Sequence, residues 1–208
     1  MRVGIIACDM IKLELEKLML ELAWKPDATL FLNSALHVDP DKMKNELIFQ
    51  INEMSQSVNA IFLGYGICQS LEGIEDQVSI PLIHPKTDDC ISMTLGSDRV
   101  AQEMEKQPGT WFSTPGWAEA GLEMVTKNLK LDRARKYGQD PLEIAKMMFK
   151  HYQRSLLINT GVGNKERTME KTKEFADYFD LDVEETDADL SLLRSYVKKA
   201  RDMSLKET

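Results

Sequence analysis

The chain lacks the features that would mark a membrane protein, a nucleic-acid binder or a disulfide-stapled domain. No apolar run approaches the ~18 residues that a spanning helix needs, so no membrane segment is expected. Basic residues are in the minority: 26 Lys and Arg stand against 34 Asp and Glu, a net charge of -8. That balance argues against nucleic acid, whose phosphates call for a clustered basic footprint. The local exception, Lys127 to Lys136, reads as a solvated helix face or a contact for an acidic partner. There is no C-x-x-C, no H-E-x-x-H, no internal repeat and no low-complexity linker. Cysteine is scarce and odd in number, three in 208 residues. Met1-Arg2-Val3-Gly4 runs straight into a strand pattern, so we expect no signal peptide and a cytoplasmic location. Thiols stay reduced there, and cysteines more often bind metal or react than form disulfides.

What is present suits a single globular α/β domain over 1–208, 43% hydrophobic and 29% charged. Twelve methionines fall mostly at helical spacing and read as adaptable core filler. Arg2 to Ala7 is a short β-branched run, the pattern of a buried parallel strand. Met10 to Trp24 carries Ile11, Leu15, Leu18 and Leu22 at helical spacing and stops at Pro26. Strands are predicted at Ala28 to Leu32, Asn59 to Gly64, Ser79 to Ile83, Ser155 to Asn159 and Leu181 to Glu185. Helices are predicted over Asp41 to Gln56, Arg99 to Lys106, Lys165 to Phe179 and Leu190 to Met203, with a helical turn at Cys90 to Leu95. Pro108 to Trp117 reads as a turn-rich aromatic loop. The helical residues 118–152 read as an insertion covering the strand edge. The alternation predicts an open, doubly wound, mostly parallel sheet of five or six strands with helices on both faces.

All three cysteines stand where a strand-like run ends. Cys8 closes the first run, Cys68 follows the third, and Cys90 follows the fourth after a short polar loop. His37 lies after the second. Ligands of open α/β sheets bind outside the carboxyl ends of the strands, so the four side chains form a candidate metal site. Three thiolates and an imidazole suit zinc, which takes sulfur and nitrogen ligands in tetrahedral geometry. Three cysteines with one open iron would equally hold an iron–sulfur cluster. The plain alternative is that each cysteine is core, since free cysteine is among the most buried residue types. Tyr65 and Gly66, in the loop before Cys68, would give a ligand room. His84 is an alternative fourth ligand, and Asp88 or Asp89 an orienting carboxylate. Trp111 and Trp117 make either a core plug or an aromatic wall against a large flat cofactor such as a corrinoid.

These residues resemble a known family. Ala7-Cys8, Leu36-His37-x-x-Pro40, Tyr65-Gly66-Ile67-Cys68, Asp89-Cys90-Ile91 with Leu95-Gly96-Ser97, Gly109-Thr110-Trp111-Phe112 with Gly116-Trp117, and Leu157-Ile158-Asn159-Thr160-Gly161 are similar to motifs of the domain of unknown function family 1638 of bacteria and archaea. The resemblance runs from the N-terminus to about Leu193. Asp9 and Gln69 stand where family members usually carry glycine, and Asp88 where a histidine often precedes the Asp-Cys pair. The resemblance implies no established reaction. It does imply proximity to corrinoid-dependent methyltransferases, and so a small-molecule methyl donor or acceptor and a corrinoid protein or methyltransferase as partner. The leading expectation is a zinc protein acting in or alongside corrinoid-dependent methyl transfer in one-carbon or methylamine metabolism. The alternatives are a metal-free two-cysteine enzyme of racemase type, a non-catalytic corrinoid- or methyltransferase-binding accessory, and an iron–sulfur protein.

Overall fold

The computed structural model describes residues 1–67 and 71–206, without the side chains of Val38 and Asn128. The chain falls into two compact units, one of Met1–Ser97 continued from Asp189 onward and one of Asp98–Ala188. In chain order the first unit runs β1 (Val3–Cys8), a 3-10 turn (Asp9–Ile11), α1 (Lys12–Glu21), β2 (Ala28–Leu32), a 3-10 turn (Ser34–Val38), α2 (Pro40–Ser55), β3 (Ala60–Gly64), a 3-10 turn (Ile74–Gln77), β4 (Leu82–Ile83) and α3 (Cys90–Leu95). α4 (Ser97–Lys106) begins at the boundary. The second unit continues with β5 (Thr110–Ser113), α5 (Pro115–Asn128), α6 (Pro141–Met148), β6 (Arg154–Asn159), α7 (Lys165–Phe179) and β7 (Asp182–Asp187). α8 (Ser191–Ser204) closes the first unit.

The fold is α/β with parallel strands and helices around them. The strands form two sheets, one of four in the order β2-β1-β3-β4 and one of three in the order β5-β6-β7. The sequence expectation placed its parallel strands in a single sheet. Sheet membership follows from hydrogen-bond partners far apart in sequence, so strand patterns alone do not reveal it. The chain steps outward from β1 to β2, then passes back over β1 to β3. The strand order therefore reverses between β1 and β3, and that is where the carboxyl edge of such a sheet opens a crevice.

β1 and β3 are buried along their whole length, as continuous apolar runs covered on both faces must be. Val3, Ile5 and Ala7 pack with Phe62, with Leu15 and Leu18 of α1, and with Leu193, Val197 and Ala200 of α8. α2 covers the other face. A Cβ on Gly4 would stand 2.5 Å from the Met54 sulfur and 3.5 Å from Val58, so glycine lets α2 lie close on the sheet. Leu47 and Ile51 of α2 are fully buried.

The second unit corrects one element. Pro108 to Trp117 is not a loop: Thr110–Ser113 is β5, paired in parallel with β6 from Thr110↔Arg154 to Ser113↔Leu157. Trp111 and Phe112 favour a strand, but glycine and proline on either side hide a run of only four residues. Residues 118–152 lie between β5 and β6 and form this unit's crossover. Its core is aromatic. Trp111 stacks on Phe175 at 5.2 Å and Phe149 on Phe179 at 4.1 Å. Beside it, buried Arg154 donates to Glu103 Oε2 at 2.8 Å, Thr110 Oγ1 at 2.8 Å and Glu184 Oε2 at 2.5 Å. No helix among the described residues is long and apolar enough to cross a membrane.

Candidate functional site

Cys8 is the last residue of β1 and is buried at 2% exposure. Its Sγ lies 3.8 Å from Asp9 Oδ1, and that oxygen accepts from the Ser34 backbone N–H at 2.9 Å. The bond ties the turn after β1 to the turn after β2, which carries His37. Asp89 caps α3, accepting from the Ser92 N–H at 2.7 Å, and so fixes Cys90 as the first residue of that helix. The turn after β3 is locked to the same segment. Ile67 N–H donates to Thr87 O at 2.6 Å. A Cβ on Gly66 would stand 2.6 to 2.7 Å from the backbone of Asp88 and Asp89. Only glycine permits this approach.

Burial pushes the Cys8 thiol well above its ordinary value; the charge Cys90 would carry adds to the rise, and Asp9 adds further. A backbone hydrogen bond at Met10 opposes the rise, and no cationic side chain is among its causes. Cys8 is therefore held as a neutral thiol. Burial lowers the His37 pKa, with the Asp89 charge pulling the other way. His37 is nevertheless on the exposed side of its turn, and solvent reaches it. Since Asp89 and Cys90 are adjacent, Cys8, Cys90 and His37 belong to one edge of the first sheet. Cys68 lies outside the described residues. Among the described residues, no three His, Cys, Asp or Glu side chains form a group that could hold a metal ion.

Tyr65 is buried, and its N–H donates to Leu63 O at 3.0 Å. Trp111 and Trp117 belong to the second unit. Trp111 is built into its aromatic core, with Trp117 edge-on at 5.9 Å.

Three further groups sit at the first sheet's edge. Glu14, in the first turn of α1, is fully buried. It occupies an apolar position between Ile11, Leu15 and Leu18, and an acid interrupting that spacing was the signal available for it. His84 follows β4 directly and is buried, with Nδ1 3.2 Å from Glu75 Oε1. Glu75 also takes a hydrogen bond from Lys86, which chiefly holds its pKa down to about 2, with a smaller contribution from His84. Nothing in the sequence pairs position 75 with position 84, because a loop and a 3-10 turn bring them together.

The family model described as a protein of unknown function (DUF1638) matches residues 31–197, spanning His37, Cys68 and Cys90. The chain belongs to this family. The DUF1638 match runs from β2 into α8 and starts after Cys8. No curated protein and no solved structure matches the chain.

Proposed function

We propose that the carboxyl edge of the first sheet is a thiol-based metal site, best suited to zinc, and that it serves methyl transfer to or from a thiol. One observation carries the reading: Cys8 is buried at the end of β1 beside the reversal point, Cys90 opens α3 at the same edge of the sheet, and no cationic side chain is among the causes that raise the Cys8 thiol. Two thiolates and the Asp9 carboxylate would repel one another there. A divalent cation offsets that repulsion and the burial together, and thiolate donors favour a soft or borderline ion. The donor set therefore fits zinc. Cys8 and Cys90 would hold the ion, and Cys68 joins them on sequence alone. His37, beside Asp89, would act as an outer group. Bound zinc lowers the pKa of a coordinated thiol and keeps it as a nucleophilic thiolate. The link to corrinoid-dependent one-carbon metabolism, with a corrinoid protein or methyltransferase as partner, rests on the family resemblance and not on geometry.

The metal-free racemase-type reading needs one resident thiolate near neutral pH. The raised Cys8 pKa counts against Cys8 in that role. Metal analysis of full-length protein purified without oxygen or chelator tests the proposal. About one zinc per chain is expected, lost from the Cys8→Ser, Cys68→Ser and Cys90→Ser variants. Full occupancy in all three variants, or no metal in the wild type, removes the proposal. A brown protein with several irons selects the iron–sulfur alternative. Methyl transfer from methylcobalamin to a small thiol by the zinc-loaded protein tests the reaction class.

A further inference from the structure

The basic stretch Lys127 to Lys136 has no part in the proposed site. It lies in the crossover of the second unit, and its centre is a 3-10 helix, Leu131–Tyr137. Such helices rarely exceed about four residues, and this one has seven. Leu129 and Leu131 pack against the aromatic core, while Arg133, Arg135, Lys136 and Tyr137 are exposed. Lys130 enters the helix at φ 55°, in the left-handed region that favours glycine. A cation stands there at a backbone cost.

Five cations and one acid, Asp132, fall between Lys127 and Lys136. Glu123 takes Lys127 at 2.6 Å, and Asp132 stands 3.7 Å from Arg135. Lys130, Arg133 and Lys136 make no ion pair among the described residues. On a helix of three residues per turn, Arg133 and Lys136 stand one above the other, about 6 Å apart along the axis. Tyr137 follows them, 82% exposed.

α7 carries the opposite pattern. A groove of about 800 Å³ runs along it, lined by Glu166, Met169, Glu170 and Asp177 among others. Glu166, Glu170 and Asp177 make no ion pair among the described residues, against one such cation, Lys173. The neighbouring Arg167 and Lys171 are held by Glu119 and Glu174. Glu166 and Glu170 are one helical turn apart, also about 6 Å. The two rows match in spacing and oppose in sign. Arginine, tyrosine and methionine are also the residues that interfaces favour.

We propose that the Leu131–Tyr137 face docks on α7 of a second copy of this chain, Arg133 and Lys136 against Glu166 and Glu170, with Tyr137 in the groove beside Met169. Sulfur–aromatic contact favours that seating. Both faces belong to the second unit, so a two-fold pair of copies makes the contact twice. Exposed ion pairs are individually weak, and the contact is accordingly sensitive to salt. The screening length falls from about 10 Å at ~0.1 M salt to about 3 Å at ~1 M.

Sedimentation velocity of the full chain tests it, in reductant and chelator so that neither thiols nor metal link copies. A dimer is expected at ~0.1 M salt and a monomer at ~1 M. Arg133→Glu with Lys136→Glu should be monomeric at both, and so should Glu166→Lys with Glu170→Lys. An equimolar mixture of the two variants should regain the dimer, because each reversed face then meets its opposite; that recovery also shows both variants folded. Tyr137→Ser leaves every charge in place and should weaken the dimer at least about tenfold. A monomeric wild type at the lower salt overturns the proposal. So does a dimer that survives both charge reversals, a mixture that stays monomeric, or an unchanged dissociation constant in Tyr137→Ser.

Discussion

Cys8 should make the metal-free protein sensitive to alkali. In the unfolded chain its thiol ionises near the ordinary value of 9.0, while in the fold burial and Cys90 hold the proton on well beyond that. The folded state therefore binds a proton that the unfolded state releases. The group's contribution is fully present below about pH 9 and is lost as pH rises from there towards the folded value. The slope is about 1.4 kcal/mol per pH unit, so between pH 7.5 and 10.5 the loss sums to ~2 kcal/mol. That is a sizeable share of a typical domain stability of about 5–15 kcal/mol. Urea unfolding of the wild type and Cys8→Ala, in reductant and chelator, isolates the effect. The cavity left by the substitution adds an offset that does not vary with pH, and the other alkaline groups cancel in the difference. The wild-type curve should fall towards the variant's as pH rises. Parallel curves over the whole range would refute the reasoning. Excess zinc should abolish the alkaline loss, since the ion takes the thiolate form.

Gly66→Ala should destabilise the first unit by about 1–3 kcal/mol, read by denaturant unfolding, because the new methyl meets the backbone of Asp88 and Asp89. Asp89→Ala removes the cap of α3 and should cost about 1 kcal/mol; the same unfolding assay checks it, and an unchanged midpoint counts against the capping role. Arg154→Ala removes the buried hydrogen bonds to Glu103 and Thr110, while Lys106 still pairs with Glu103, so the loss should fall below the about 3–5 kcal/mol of a fully stranded buried charge. Thermal unfolding of that variant should show a markedly lowered midpoint, whereas Arg154→Ala with Glu103→Ala should recover part of it.

The strand ends, and with them the three cysteines and His37, were legible as a pattern. Ala60 to Leu63 and Val3 to Ala7 are apolar, β-branched runs stopped by glycine or a polar turn, and such signals are local. The aromatic stretch was half legible. Its composition marked it as unusual, but only the pairing of Thr110–Ser113 with Arg154–Leu157 makes it a strand. Trp111, half-buried, stacks on Phe175 and packs against the core of the second unit.

The sequence by itself determined most of the strands and helices, Thr110–Ser113 excepted, that strands alternate with helices, and that Cys8 closes the first strand. These depend on side-chain periodicity and on the backbone preferences of neighbouring residues. Tertiary structure alone decided that the strands divide into two sheets, that Cys8 is buried at its strand end, and that Glu75 holds His84. Hydrogen-bond partners and packing neighbours come from segments tens of residues apart, and the burial of a polar group depends on what closes over it.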